Sequence, residues 1–142
     1  MALFPVYSTS VQTPAIKRLN AVMQRTHVAK VIDHAGVYNC RKISGSVSWS
    51  QHAWGNASDE FPKGADYKAK RENCSRIANA IVYQATHRTK ANRMRKLKVG
   101  RVIDHESRRQ WTREDGWYTY TGSTGLHVHA EGPTKYGTPP CA

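Results

Sequence analysis

The sequence predicts a single small α+β domain in which helices flank an antiparallel sheet. Its 142 residues suit one domain, and an apolar content of 39% is enough for a modest core. Apolar residues recur at helical spacing in two stretches, about 14–34 and about 67–87. In the second half the period changes, because short runs of β-forming residues alternate with polar turns.

The first predicted helix begins at Pro14, after an extended lead-in over residues 1–13, and runs to about His34. Proline is favoured in the first turn of a helix, which supports this start. The second predicted helix spans about Tyr67 to His87 and leads into a basic run. The apolar stripes consist of Ile16, Leu19, Val22, Met23, Val28 and Val31 in the first helix, and of Ile77, Ala78, Ile81, Val82 and Ala85 in the second.

Three strands are predicted in the second half, at Val99 to Ile103, Gly116 to Tyr120 and Leu126 to Ala130, and they should supply most of the sheet. Residues 35–50 favour short strand and turn pieces. The next stretch, QHAWGNASDEFPKGADY, has the Gly, Asn, Asp and Pro density of a loop that positions side chains. We therefore expect a folded domain over 14–133 and a C-terminal tail over 134–142.

The chain is strongly basic. Lys and Arg together number 22 against 10 acidic residues, a formal net charge of +12, so we expect a polyanionic partner. From Arg88 to Arg101 seven of fourteen residues are basic, which predicts a solvated and flexible basic loop over about 88–98. That run could follow nucleic-acid phosphates. It contains no aromatic residue, and no nucleic-acid-binding motif is present, so such binding would be electrostatic and not specific.

The cysteines and the N-terminus bear on where the chain acts. Cys40, Cys74 and Cys141 include no Cys-x-x-Cys pair, and Cys40 with Cys74 is the pair to test for a disulfide, because Cys141 lies in a Pro- and Gly-rich end. The N-terminus lacks the features of a secretory signal, and no stretch is apolar enough to insert in a membrane. An extracellular target would then be reached after lysis or by carriage in a particle.

Histidine and carboxylate side chains form the pattern that predicts chemistry. His52 and Asp59 lie seven residues apart, and LHVHAEG places His127 and His129 two residues apart. Side chains alternate along a strand, so His127, His129 and Glu131 should share one face of the sheet. Two histidines and one carboxylate make a zinc site with one open coordination position, as catalytic zinc requires.

The segment SQHAWGNASD matches the pattern Ser-x-His-x-x-Gly-x-Ala-x-Asp at every fixed position. With the downstream His-x-His, it resembles the zinc D-Ala-D-Ala carboxypeptidase family. The similarity is greatest to the extensin-like C-terminal domains of phages, in which GVYNCR precedes the first motif and a Trp-rich segment such as RQWTREDGWYTYTG precedes the second. The resemblance covers roughly 35–60 and 99–132.

This resemblance implies a zinc ion bound by His52, Asp59 and His129, with Ser50 supporting the first ligand. It also implies that His127 is the general base, as in the related lysostaphin-like and hedgehog-like domains.

Many members of the family carry an acidic base three positions before the last ligand, where this chain has Leu126. If His127 is not the base, Glu131 or Asp115 could serve, or the domain has kept zinc and lost catalysis. Arg41, in YNCR, is the expected cation for negative charge that develops on the substrate carbonyl. Trp54 is the expected aromatic residue of a substrate cleft.

The implied activity is zinc-dependent hydrolysis of peptide bonds in bacterial peptidoglycan, as in a phage endolysin or a tail-associated enzyme. Peptidoglycan, anionic cell-wall polymers and phage tail proteins are the expected partners. Two alternatives stay open at this point. The chain could be a phage structural protein that binds cell wall with little or no catalysis, or a basic nucleic-acid-binding protein.

Overall fold

Seven strands form one mixed sheet in a computed structural model that describes residues 3–142. The strands are β1 (Val6–Tyr7), β2 (Ile32–Gly36), β3 (Ala57–Pro62), β4 (Arg101–Asp104), β5 (Arg109–Thr112), β6 (Gly116–Thr119) and β7 (Val128–Glu131). Two α-helices, α1 (Pro14–Met23) and α2 (Tyr67–Thr86), and two 3-10 turns, His27–Val31 and Gln51–Trp54, complete the regular structure of that region. None of its helices is long and apolar enough to span a bilayer.

The strand order is β1-β2-β3-β7-β4-β5-β6, with every neighbouring pair antiparallel except β1 and β2. The predicted single α+β domain with a mostly antiparallel sheet is thus confirmed. The parallel β1–β2 pair is a departure, and it makes Val6–Tyr7 of the N-terminal lead-in part of the sheet. Four of the seven strands lie in the second half of the chain, as predicted.

Both helices pack against one face of the sheet, which we call the helix face. The amide of Asn20, on α1, donates to Ser58 Oγ at 3.1 Å, so alternate residues of β3 point to the helices. On β7, Val128 and Ala130 join the same apolar core. The residues between them, Asp59 on β3 and His129 on β7, therefore project from the opposite face, which we call the open face.

The first helix is shorter than predicted. It ends at Met23, whose carbonyl accepts a hydrogen bond from the Thr26 hydroxyl at 2.8 Å, and β2 already begins at Ile32. Residues 26–32 are rich in β-branched side chains, which favour strand over helix. The second predicted helix is confirmed, with Asp66 capping its first turn by accepting from the Ala69 N–H at 2.8 Å.

The predicted loop over 51–67 is wrong at its centre, because Ala57–Pro62 is β3, in the interior of the sheet. The sequence does not show the alternation of this strand, because two of its buried positions are the polar residues Ser58 and Glu60, both fully enclosed. Two of the predicted strands begin two residues later than expected, at Arg101 and Val128. Strands β2 and β5 were not predicted as such.

The C-terminal tail is fixed to the domain. Gln51 donates to the carbonyl of Lys135 at 3.0 Å and accepts from the Lys135 N–H at 2.9 Å. Cys141 forms a disulfide with Cys40, so the candidate pair Cys40–Cys74 is not bridged. The reason is burial: Cys74 lies on the inner side of α2, fully enclosed in the core, whereas Cys40 is exposed.

This arrangement predicts the reactivity of the thiols. Protein kept free of reductant should show no reactive thiol while folded and about one per chain after denaturation, because Cys74 is shielded only by the fold. The measurement is a thiol titration with and without denaturant, followed by peptide mapping of the labelled cysteine. Label on Cys40 or Cys141 in unreduced protein would contradict the observed pairing.

Candidate metal centre

The pairing of β3 with β7 sets Asp59 directly opposite His129 on the open face. His129 Nδ1 lies 3.1 Å from Asp59 Oδ1, and His52 Nε2 lies 3.2 Å from Asp59 Oδ2. One ligand atom from each of these three residues falls within 4.8 Å of the others. The group His52, Asp59 and His129 can therefore hold a metal ion, as the sequence predicts.

The 3-10 turn Gln51–Trp54 carries His52 to this position. Ser50 precedes the turn, and its hydroxyl accepts from the His52 N–H at 3.3 Å, so the predicted support of the first ligand is a cap on its own turn. Gly55 ends the turn in the left-handed region, with φ of 64°. A side chain at Gly55 would collide with the backbone of Val11, so both space and backbone conformation require glycine there.

A backbone carbonyl determines which ring nitrogen of His52 carries a proton. Its Nδ1 lies 2.6 Å from the carbonyl oxygen of Val37, which can only accept, so Nδ1 carries the proton. Nε2 is buried and has no hydrogen-bond partner in residues 3–142, although a carboxylate oxygen of Asp59 faces it. A lone pair opposite a carboxylate is repulsive unless a proton or a cation lies between them. A metal ion would resolve this conflict.

The second imidazole, His129, is held from both sides. Nδ1 donates to Asp59, and Nε2 donates to Glu131 Oε1 at 2.9 Å. Burial alone would disfavour the charged ring, but these two hydrogen bonds outweigh it and raise the pKa of His129 to about 9. A metal ion bound at Nδ1 would replace the proton there and leave Glu131 to orient the ring.

The carboxylate of Asp59 stays ionised in this setting. Burial disfavours its charge, yet the hydrogen bond from His129 and the neighbouring ring of His52 hold its pKa well below the usual range. Each imidazole thus has its outer nitrogen fixed by an acceptor and its inner nitrogen aimed at one carboxylate. This is the arrangement in which histidines ligate metals in proteins, so the residues present fit a bound ion.

A row of rings crosses the open face beside the metal centre. Ring centroids lie 4.4 Å apart for His34 and Phe61, 5.6 Å for Phe61 and His127, 4.3 Å for His127 and His105, and 5.0 Å for His105 and Tyr120. His127 belongs to this row, and its neighbour His105 lies 6.3 Å from His129 between ring centroids. The sequence assigns no role to His105.

His105 and His127 are both neutral at physiological pH. Burial lowers the pKa of His127 to about 4, and burial is also the main cause that lowers the pKa of His105. The Nδ1 of His105 donates to the carbonyl of Ser123 at 2.7 Å, which leaves its Nε2 as an acceptor. Two uncharged imidazoles next to a metal centre can accept protons, which is the chemistry that hydrolysis requires.

A groove of about 1070 Å³ reaches the centre at Glu131, which forms part of its wall. The half-buried Trp54 lines it, together with Trp49, Arg101 and Tyr136. None of the three candidate ligands belongs to its wall. Trp54, predicted at a substrate cleft, thus lines a groove, and the C-terminal tail contributes to the same wall, which was not predicted.

The remaining predicted site residues are less closely associated with the centre. The Arg41 side chain is exposed, and its backbone carbonyl accepts from the Ser50 N–H at 3.0 Å, which ties it to the segment before His52. Asp115 is exposed in the turn between β5 and β6. Glu131 is engaged with the outer nitrogen of His129, so it orients that ring and does not face the inner side of the triad.

Comparison with models of known protein families, with curated proteins and with solved structures gave no match to this chain. A function must therefore be argued from the geometry of His52, Asp59, His129 and their neighbours. That geometry shows a group able to bind a metal ion and leaves the identity of the metal open.

The contact of Glu131 with His129 predicts a loss of metal affinity on substitution. Glu131→Gln should weaken metal binding about 10- to 100-fold, because the carboxylate that fixes the ring is lost while the three ligands stay. Competition with a chromophoric chelator measures this. Asp115→Asn, which removes an exposed carboxylate away from the centre, serves as the matched control and should bind as the wild type does. Equal affinity in Glu131→Gln would contradict the role given to Glu131.

Proposed function

We propose that this chain is a zinc-dependent peptidase that hydrolyses peptide bonds in bacterial peptidoglycan. The observation that carries the proposal is the convergence of three ligand atoms on one point, with the outer nitrogen of each histidine held by an acceptor. The motif resemblance supports the reaction and the substrate class.

The donor set favours zinc. Two imidazole nitrogens and one carboxylate are borderline ligands that suit this ion, and three protein ligands leave the open position of a catalytic site. When bound, zinc would polarise the scissile carbonyl and make a water molecule more acidic.

His127 is the proposed general base. Its ring is uncharged at neutral pH and stands beside the triad, so it can take the proton of the attacking water. His105 packs against it at 4.3 Å between ring centroids and holds its orientation. These two imidazoles supply the proton acceptor that Leu126 does not, and they favour an active enzyme over a domain that has lost catalysis.

Substrate binding is assigned to the groove next to Glu131. Trp49, Trp54 and Tyr136 offer apolar surface for an extended glycopeptide, and Arg101 offers positive charge for its carboxylates. Arg41 is the proposed cation for the negative charge that develops on the carbonyl oxygen, since the backbone holds it beside the segment that bears His52.

The proposal predicts that His127 matters for activity and not for metal binding. With purified peptidoglycan as substrate, His127→Ala should lower the rate by about 100- to 10,000-fold, the usual contribution of a general base. Its metal content should equal that of the wild type. His27→Ala removes an exposed histidine that is distant from His127 in the sequence, and it serves as the control.

The readout is mass spectrometry of the released fragments, which identifies the new termini and the bond that is cut. Loss of activity on chelation and its return with zinc would link cleavage to the metal. If metal-loaded wild type releases no new peptide termini, the domain is not a peptidoglycan peptidase. Undiminished cleavage by His127→Ala would remove that residue as the base.

A further inference from the structure

We infer that the protein carries a second binding site, a cationic surface that holds a linear phosphate polymer without bases, such as a polyol-phosphate chain of a cell wall. This cationic surface consists of one arginine on α1, one arginine just after α1, and the six basic residues of the loop over 88–98 that follows α2. Its members are Arg18, Arg25, Arg88, Lys90, Arg93, Arg95, Lys96 and Lys98. Binding there needs neither the metal nor catalysis, so the inference goes beyond the proposed function.

Hydrogen bonds of a buried side chain fix the conformation of the basic loop over 88–98. Asn92 is fully buried, and its amide donates to the carbonyls of Gln84 at 3.1 Å and His87 at 2.8 Å. Its Oδ1 accepts from the Thr89 N–H at 2.9 Å. The loop predicted to be flexible is thus folded around one buried asparagine, and Leu97 and Val99 anchor its far end in the core.

Two arginines, Arg18 on α1 and Arg25 just after it, hydrogen-bond to the backbone of this loop. Arg18 donates to the carbonyls of Asn92 and Arg95, both at 2.8 Å, and Arg25 donates to the carbonyl of Ala91 at 2.8 Å. These bonds use only backbone oxygens of the loop. The basic side chains of the loop take no part in these bonds. Their positive charges therefore lie beside those of Arg18 and Arg25.

The resulting concentration of positive charge is not neutralised by the protein. Residues 14–32 and 88–103 contain no Asp or Glu, and none of the eight basic side chains forms an ion pair in residues 3–142. Burial, Arg95 and Arg25 together lower the pKa of Arg18, a sign that the cations repel one another. A fold that fixes like charges side by side is relieved when a polyanion binds.

The chemistry of the surface indicates which polyanion fits. Residues 88–98 contain no Phe, Tyr or Trp, and Met94 is the large apolar residue exposed there, at 62%. Proteins that bind single-stranded nucleic acids stack bases on aromatic rings, a feature missing from this loop. A polymer recognised only through evenly spaced phosphates matches what the surface offers.

The cationic surface begins at α1, on the helix face, and its loop extends toward the groove. Helix α1 lies on the helix face, since Asn20 contacts Ser58, whereas Asp59 projects from the open face. The loop then continues toward the groove, whose wall includes Lys96 and Lys98. A bound polymer would keep the chain on the wall without occupying the metal centre.

The test removes three charges that do not line the groove. The variant Lys90→Gln, Arg93→Gln and Arg95→Gln changes exposed side chains and leaves the backbone acceptors of Arg18 and Arg25 in place. The matched control is Lys63→Gln, Lys68→Gln and Arg71→Gln, three exposed cations near the other end of α2. With 20 residues, that helix separates the two triplets by about 30 Å.

The 142-residue chain, with zinc chelated so that nothing is cleaved, is titrated with poly(glycerol phosphate) over a series of salt concentrations. Each cation that contacts a flexible polyanion contributes about 0.7 to the slope of log K against log salt, so the test variant should lose about 2. At 0.1 M salt this corresponds to binding weaker on the order of 100-fold. The control should bind with the wild-type slope.

A parallel titration uses single-stranded and double-stranded DNA at equal phosphate concentration. The inference predicts that the polyol phosphate binds at least as tightly as either DNA. DNA binding more than tenfold tighter would make this a nucleic-acid surface and overturn the assignment. Wild-type binding by the test variant would also overturn it. None of these titrations depends on cleavage or on a metal ion. Their outcomes therefore neither support nor contradict the proposed peptidase activity.

Discussion

The antiparallel register between β3 and β7 is the constraint on which the candidate metal centre depends. Asp59 and His129 come from segments 70 residues apart, and the pairing places them opposite one another on the open face. A slip of one residue in either strand would turn the ligand of that strand toward the helices and separate it from the other ligand. The register is specified from the other face, where the core residues Val128 and Ala130 and the buried Ser58 and Glu60 must point to α1 and α2.

The same alternation divides the domain into two chemically distinct sides. The open face carries the triad and the row of rings, and the groove next to it is lined in part by a tail that the Cys40–Cys141 disulfide attaches to the chain. The helix side carries the core and, at its surface, the loop fastened by Arg18 and Arg25. One domain of 142 residues thereby presents a group able to hold a metal ion on one side and a cluster of basic side chains on the other.

Local patterns in the sequence predicted the ligands but not the way in which they meet. His52 and Asp59 lie in one short motif and His129 in another, so residue types and spacing were enough to name them. His105 carries no such signal, because its place beside His127 depends on the pairing of β4 with β7. Cys141 was misjudged for a similar reason: its composition suggested a free end, whereas contacts of Lys135 with Gln51 hold that segment.

Elements dominated by polar residues were the hardest to predict. Strand β3 reads as a loop because Ser58 and Glu60 are buried for their hydrogen bond to each other, at 3.0 Å, and not for apolar surface. Burial raises the pKa of Glu60 to about 8, so this carboxyl can be enclosed without carrying a charge. No periodicity of apolar residues reveals such a strand.

The central claim is that His52 Nε2, Asp59 and His129 Nδ1 bind one metal ion. Anomalous diffraction at the zinc absorption edge, from crystals grown with zinc, tests this most directly. The account predicts a single strong peak at about 2.0–2.2 Å from these three groups, with Val37 and Glu131 still bonded to the outer nitrogens. Density at the triad without an anomalous peak, or a peak at His105 and His127 in its place, would contradict it.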